Sequence, residues 1–416
     1  MRVNFMTQFC INSWPRAVAH IDADAFFVAC ERALNPSLNG KCAAVGKERG
    51  IITALSYEAK AKGVKRGMRT FEAKKLCPGL IVIESDYEAY SLFSLRMFNI
   101  IKNFSPQVEE YSIDEAFVDL TGLRRVFSCS YEAIAKKMQS AIEKELSITV
   151  SVGVSITKTL AKIASKLKKP NGLAVIEGRD IQNILRDIPA EDVWGIGNNT
   201  ACFLRKFDIN SALDFALKDE GFIDKYLSKP YKETWFELRG NSVLGINASV
   251  KSSYKTISKA KSFYPPSDDE TFLFSELTKN LENACAKARR FNLAAVRLSV
   301  FLKTRDFKAE GAQIRLTSPA ALPPLLMEAL KEGFKYIYAK GYLYRQTEIV
   351  LHLTENVQYS LFDDIIKIDK IRRIYDSIDV INKRFGSNSV HLAPSMPSLN
   401  AGCSRRFSMP LIDIKV

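Results

Sequence analysis

The chain has 416 residues, too many for one ordinary core, and its 47% hydrophobic and 25% charged content suits roughly two to four globular domains. Sixty Lys and Arg against 46 Asp and Glu leave +14, a surplus that favours a polyanionic partner because each cation near a phosphate releases condensed counterions. Eight cysteines without a CxxC pair and three histidines argue against zinc sites and a disulfide framework, and no run nears the ~20 apolar residues that span a bilayer, so a soluble cytoplasmic protein without a membrane partner is expected.

A short apolar run from Val18 to Ile21 ends in Asp22 and is followed by AFFVACERAL, which reads as a strand delivering a carboxylate and then a helix. Residues 40–85 are small, basic and mixed, with a helical signal in YEAKAKGV. Ser112 to Leu120 predicts a hairpin with SIDE at its turn and AFVDL as its second strand. Ile134, Met138, Ile142 and Leu146 recur every four residues and predict a helix; Ile148, Val150, Val152 and Val154 then alternate as a strand. Residues 18–176 are thus expected to form a mixed sheet with packing helices and a small insertion.

Short helices are expected over 180–245, around VWGIGNNTACFLRKFDI, and a polar linker at INASVKSSY, 246–254. Strands near 255–262, 294–303, 311–317 and 346–353, with helices near 270–290 and 323–338, follow in the order βαββαβ, a ferredoxin-like arrangement. The tail holds an amphipathic stretch, IDKIRRIYDSIDVINKRF.

The chemistry concentrates in HIDADAFF (20–27) and YSIDEAFVDL (111–120). A carboxylate at one strand end and an acidic pair on a neighbouring hairpin make the hard oxygen set that Mg²⁺ prefers. Phosphoryl transfer from a nucleotide uses two such ions about 4 Å apart. Either segment alone is compatible with solvated or capping acids; together they point to a metal site.

With these motifs the chain resembles the Y-family DNA polymerases of the bacterial DinB/UmuC class, over about residues 18 to 390. The resemblance implies an α+β multidomain fold, a right-handed polymerase. Its parts would be a ferredoxin-like palm (18–32 and 87–176), small fingers (33–86) and a helix-hairpin-helix thumb (177–245). A linker (246–254), a ferredoxin-like little finger (255–354) and a C-terminal tail (355–416) would complete it. It implies Asp22, Asp114 and Glu115 as catalytic, metal-binding carboxylates, with the carbonyl of Ala23 completing a metal shell, and two Mg²⁺ that Mn²⁺ can replace. Asp24 and Asp119 are nearby acids with no assigned role. Phe27 matches the steric gate that excludes ribonucleotides, while Phe26, grouped with the nucleotide-binding residues, reads as core.

In SYEAKAKGVKRGM (56–68), Tyr57 and Lys60 would meet the triphosphate; Lys60 stands where Arg is common and lacks the guanidinium fork. In SITKTLAKIASKLKKPNG (155–172), Lys158, Lys162 and Lys166 share one helix face, which by spacing alone reads as solvated. The resemblance makes Lys169, before PNG, a triphosphate contact and groups Lys158 with DNA contacts. Thr157 replaces the Asn usual in the polymerase IV branch, TKTLAK is similar to polymerase V subunits, and KPNG to polymerase IV. Gly195 and Gly197 match the thumb hairpin, whose backbone N–H groups can bind a DNA phosphate. Lys259 and Lys261 are further candidate DNA contacts.

QYSLFD (358–363) resembles a sliding-clamp docking peptide, with Gln358 hydrogen-bonding and Leu361 and Phe362 filling an apolar pocket. INKRFGSNSVHLAPSM after it is similar to the tail of polymerase V subunits. The implied activity is low-fidelity, template-directed DNA synthesis across damage, without proofreading, by attack of the primer 3′-hydroxyl on a dNTP. Small residues such as Ala54 and Ser56 would lie near the nascent pair. Implied partners are primer–template DNA, dNTP and the sliding clamp, with a UmuD-like subunit and RecA as further candidates in an SOS response. The alternative is a catalytically idle clamp-binding scaffold, against which the clustered, mutually repelling acids argue. A nucleotidyl cyclase would share such acids but not the GIG hairpin or the extra basic domain.

Overall fold

The apolar run that ends in Asp22 forms β1 (Val18–Ala23), every residue of which is buried. The computed structural model describes residues 11–46, 50–249, 254–355, 364–386 and 389–396. Two units divide between Ser249 and Val250.

In the first unit β1 leads into the helix Phe26–Leu34 and then to a small separate sheet. Its strands are β2 (Ala43–Gly46), β3 (Ile52–Leu55) and β4 (Ile81–Ile83), ordered β3-β2-β4 around Ala44, Ile52, Ala59, Val64 and Ala73. This sheet was not legible in the mixed composition of residues 40–85. Strands of three or four residues are too short to display a period of two.

The main sheet adds β5 (Val108–Glu110) and β6 (Glu115–Asp119), the predicted hairpin, then β7 (Val150–Ser155) and β8 (Leu173–Val175). Its order is β5-β6-β1-β7-β8, with β1 antiparallel to both neighbours and β8 parallel to β7. Ala19, Ile21 and Ala23 of β1 share a core with Met97, Ile134, Met138 and Ile142 from the helices Tyr87–Lys102 and Tyr131–Leu146. Burying each of these large side chains contributes about 1.5–3 kcal/mol. Ser130 caps the second helix, its Oγ accepting the Ala133 N–H at 3.2 Å.

The helix Lys158–Leu167 covers the opposite face, where Val18 meets Phe117 and Ala161. Gly153 on β7 permits the approach: a Cβ there would lie 2.1 Å from both the Ala161 carbonyl oxygen and the Ser165 nitrogen. Any side chain at 153 would push that helix, and the lysines it carries, away from the sheet. Short helices between Ile181 and Leu238 then pack Leu204, Phe215, Trp235 and Leu238 against Ile163.

The second unit contains β9 (Thr256–Ser267), β10 (Ala294–Thr304), β11 (Ala309–Ala320) and β12 (Tyr344–Thr354). They form an antiparallel sheet ordered β11-β10-β12-β9. Leu273, Leu277, Leu281 and Leu330 from the helices Glu270–Arg290 and Pro323–Ile337 pack on Leu298, Val300, Ile349 and Leu351. The amphipathic tail stretch is a helix, Ile365–Phe385, docked through Ile368 and Tyr375 onto Leu322. Arg289 clamps it by donating to both Asp379 oxygens, at 2.8 and 2.6 Å. No helix among the described residues is long and apolar enough to cross a membrane.

Candidate active site

Strand register brings the acids together. Asp22 at the end of β1 lies directly opposite Glu115 at the start of β6, so both carboxylates leave the sheet on the same face. Asp114 precedes Glu115 in the hairpin turn; its carbonyl accepts the Ala23 N–H at 2.9 Å, and its Oδ1 accepts from Ser112 Oγ at 2.5 Å. Two lysines from the covering helix and the loop after it meet the pair. Lys162 Nζ is 2.6 Å from Glu115 Oε2, and Lys169 Nζ is 2.5 Å from Asp22 Oδ1.

Burial is the largest influence on Asp22 and raises its pKa; Lys169 opposes this, while the charges of Glu115 and Asp114 raise it further. Burial also pushes Glu115 upward, but the Lys162 ammonium beside it outweighs this and brings the carboxyl down to about 2. His20 is fully buried, and desolvation lowers it to about 4, leaving it neutral at pH 7. Ser165 Oγ donates to the Lys162 carbonyl, so it accepts from His20 Nδ1 at 2.8 Å. His20 Nε2 then faces Glu115 Oε2 at 3.8 Å, too far for a hydrogen bond.

Among the described residues no three or more His, Cys, Asp or Glu side chains are gathered closely enough to hold a metal ion by themselves. Asp22, Asp114 and Glu115 instead form an open set of hard oxygen donors. Two are met by ammonium groups and the third by a hydroxyl. Glu115 and Asp114 lie near enough to raise the proton affinity of Asp22, and acids so clustered are chemically suited to divalent cations.

The lysine face that reads as solvated is mostly interior. Lys162 is 8% exposed, with its ammonium over the rings of Tyr111 (4.8 Å) and Trp194 (5.4 Å). Lys158, expected at DNA, is corrected. It is 4% exposed, pairs with Glu109 at 2.8 Å, donates to the Gly245 carbonyl at 3.3 Å and lies over Phe117. An ammonium so committed has no reach left for a phosphate. Lys166 is exposed and donates to the Asp192 carbonyl at 3.2 Å; desolvation followed by the charge of Lys162 lowers its pKa.

On the other side of Asp22, Phe27 is half-buried and stacks on Tyr90 with centroids 4.6 Å apart, while Tyr87 meets it edge-on at 5.5 Å. Phe26 is 4% exposed and belongs to the core, so its grouping with nucleotide contacts is corrected. Tyr90 is itself held from behind, donating to the buried Glu31 at 2.7 Å. Tyr57 donates to Asp24 Oδ1 at 3.4 Å; burial, then the charge of Asp24, raises its phenol pKa. Lys60 Nζ lies 5.4 Å from the centre of the Tyr57 ring. Ser56 is fully buried and caps the helix Tyr57–Ala61, accepting from Ala59 N–H at 3.2 Å, so it lines no open surface.

The impB/mucB/samB family matches residues 21–166, and its C-terminal domain matches residues 254–360. Together these cover more than half of the chain. DNA polymerase IV of Bacillus velezensis is 31% identical over 387 residues, covering 90% of this chain and 92% of that relative. The chain belongs to the Y family of DNA polymerases. DNA polymerase IV of Ureaplasma parvum serovar 3 is 30% identical over 358 residues, covering 84% of this polymerase and 99% of the relative. A solved Y-family chimera of Dbh and Dpo4 shares the fold with a TM-score of 0.69 and 24% identity, over 83% of this chain and 100% of that one.

The turn at Gly195 connects the 3-10 turn Ala190–Asp192 to the helix Asn198–Arg205 of the polymerase, with Gly197 at the helix cap. Gly195 has φ +93°, a left-handed conformation that favours glycine. Lys259 and Lys261, candidate DNA contacts by sequence, stand on the helix-packed face of β9, Lys259 partly and Lys261 well exposed. They pair with Ile349 and Thr347, both buried under the helices, and alternate with Ser258 and Ala260. Lys259 is lowered by burial and then by Lys287 and Arg290 on the helix above it. The opposite face carries Arg297, Lys303 and Arg315; Arg297 pairs in register with Arg315 on one side and His352 on the other. Gln358, Leu361 and Phe362 lie outside the described residues. Sequence reasoning passed over Lys162, His20, Tyr90 and Asp24 as site residues. The legible signal was helix Lys158–Leu167 itself: TLAKIAS is apolar or small nearly all round, which marks a covered helix and so covered lysines.

Proposed function

We infer that this polymerase performs template-directed DNA synthesis past damaged template positions, extending a primer 3′-hydroxyl from dNTP. The observation that carries the chemistry is the register pairing of Asp22 with Glu115, with Asp114 in the adjoining turn, in a member of this family. Asp22, Asp114, Glu115 and the Ala23 carbonyl would hold two Mg²⁺ ions, with Mn²⁺ able to substitute. When bound, such ions neutralise charge on the attacking and leaving oxygens.

The chain's own groups do the rest. Lys169 moves from Asp22 to a phosphate oxygen, exchanging one anion for another. Tyr57 and Lys60 hold the outer phosphates, and Phe27, braced by Tyr90, lies under the sugar and leaves no room for a 2′-hydroxyl. A new oxygen–phosphorus bond forms at the α-phosphate, the bond to the β-phosphate breaks, and pyrophosphate departs while the hydroxyl proton passes to solvent. Lys162 keeps Glu115 ionised and oriented.

The palm is assigned to 18–32 and 87–176, the fingers to 33–86, the thumb to 177–245 and the little finger to 255–354. Gly195 and Gly197 offer backbone N–H groups to a DNA phosphate. Arg297, Lys303 and Arg315 provide a basic face for the DNA backbone. Gln358, Leu361 and Phe362 are proposed to dock a sliding clamp. A UmuD-like subunit, RecA, an SOS setting and a cytoplasmic location belong to the same reading.

Primer extension on intact and abasic templates, with wild type and Asp114→Ala, tests this function. Extension by wild type alone, including past the abasic site, is expected. A wild type inactive even with a clamp present would return the idle-scaffold reading.

A further inference from the structure

Asp24 has been given no part in the chemistry above, yet it is 3% exposed, and a buried carboxylate is costly unless every lone pair finds a donor. Its donors come from three separate stretches of chain. Ser151 Oγ on β7 donates to Oδ1 at 2.8 Å, and the Asn171 backbone N–H donates to Oδ2 at 2.8 Å. The Tyr57 hydroxyl donates to Oδ1 at 3.4 Å. The backbone of Asp24 is fixed as well, its N–H reaching the Thr149 carbonyl at 3.0 Å.

Asn171 lies in the tight loop that starts at Lys169. Its φ is +52°, and Gly172 beside it turns so sharply that a Cβ would sit 2.0 Å from the Lys168 carbonyl. Ser151 Oγ also accepts from Gly172 N–H at 3.4 Å. One oxygen of Asp24 therefore holds the loop that carries Lys169, and the other holds Tyr57. These two residues approach the dNTP triphosphate from different parts of the sequence, and this carboxylate joins them through hydrogen bonds.

We propose that Asp24 is a positioning residue that sets the spacing between Tyr57 and Lys169 and thereby the affinity for dNTP. It acts through its neighbours without touching the nucleotide. The proposal rests on the nucleotide-binding reading of Tyr57 and Lys169.

The test is steady-state primer extension against dNTP concentration for wild type, Asp24→Asn, Asp24→Ala, Ser151→Ala and Lys169→Ala. Asp24→Ala is expected to raise KM for dNTP roughly tenfold or more while kcat and primer–template affinity change little. Asp24→Asn keeps one acceptor for Asn171 and can donate to the Ser151 and Tyr57 hydroxyls, so it should recover part of the loss. Ser151→Ala should move KM in the same direction by less. If Asp24→Ala does not fold, the Asn and Ser151 variants carry the test.

Combining Asp24→Asn with Lys169→Ala should add less than the two single effects multiplied, because both act through one loop. Fully multiplicative effects overturn the proposal, as does loss of kcat at unchanged KM. A wild type without polymerase activity would remove the functional reading itself; active wild type with unchanged KM in Asp24→Asn removes this inference alone.

Discussion

Apart from the small β3-β2-β4 insertion, the main sheets of both units are built on one chain order, strand, helix, two strands, helix, strand, to which the first adds a fifth strand, β8, yet the first strand ends in different places. In the first unit β1 lies in the middle of the sheet, between β6 and β7; in the second, β9 lies at the edge beside β12. A central strand is covered on both faces, so an acid at its end is half-desolvated and has a neighbour on either side. That is how Asp22 comes to face Glu115, with Lys162 and Lys169 drawn in against them. An edge strand lacks one neighbour. The second sheet gathers no comparable acids and turns a basic surface outward through Arg297, Lys303 and Arg315. Element order is thus shared, while strand order separates a cluster of paired acids from a basic face.

The largest expected consequence of this contrast is the outcome of replacing the central acid. Asp22→Ala should lower kcat by about a thousandfold or more, since interactions with developing phosphoryl charge supply several kcal/mol. Primer–template affinity should stay nearly unchanged. Chelation by EDTA should produce the same loss, restored by added Mg²⁺, measured by single-turnover extension. Persistent activity in Asp22→Ala would mean that the register-paired acids are not the chemical centre.

Next in size is sugar selection. Phe27→Ala should reduce discrimination against ribonucleotides by about a hundredfold, read as the ratio of kcat/KM for dNTP and rNTP. A selective variant would place the gate elsewhere than on the Tyr90 stack.

The open face of the second sheet should respond differently. Arg297→Ala with Arg315→Ala should weaken primer–template binding roughly tenfold and lower the slope of log affinity against log salt by about two. The rate at saturating DNA should hold. Equal loss from Lys259→Ala and Lys261→Ala would reverse the assignment of faces.

The smallest effect is a pH dependence of opposite sign to that of Glu115. Glu115 is held low, whereas burial raises Glu276, 4% exposed in the second unit, despite Lys279 and Lys261 nearby. A carboxyl whose native pKa lies above its unfolded value, about 4.3, favours the folded state most below that value. Its contribution is lost as pH rises through the native pKa. Glu276→Gln should therefore unfold at slightly higher denaturant than wild type near pH 7, with the gap closing on acidification. A gap that widens in acid would place a stabilising charge at Glu276 instead.

How much of this was legible follows from the length scale of each pattern. The helix carrying Ile134, Met138 and Ile142, the alternation through Val150, Val152 and Val154, and the βαββαβ order of the second unit all repeat over many residues and could be read directly. The β3-β2-β4 sheet could not, because strands as short as Ile81–Ile83 leave no periodic trace.

By itself the sequence determined the acidic motifs, their element types and the family resemblance, because these depend on residue identity and spacing along the chain. Only the tertiary structure decided which faces those residues occupy. It buried Lys158 on Glu109, put Lys259 under a helix, and made Asp24 the meeting point of Ser151, Asn171 and Tyr57. The reason is that a strand's pleat offers two faces, and what covers each is set by chain segments more than a hundred residues away, as in the Asp24–Ser151 and Asp24–Asn171 bonds.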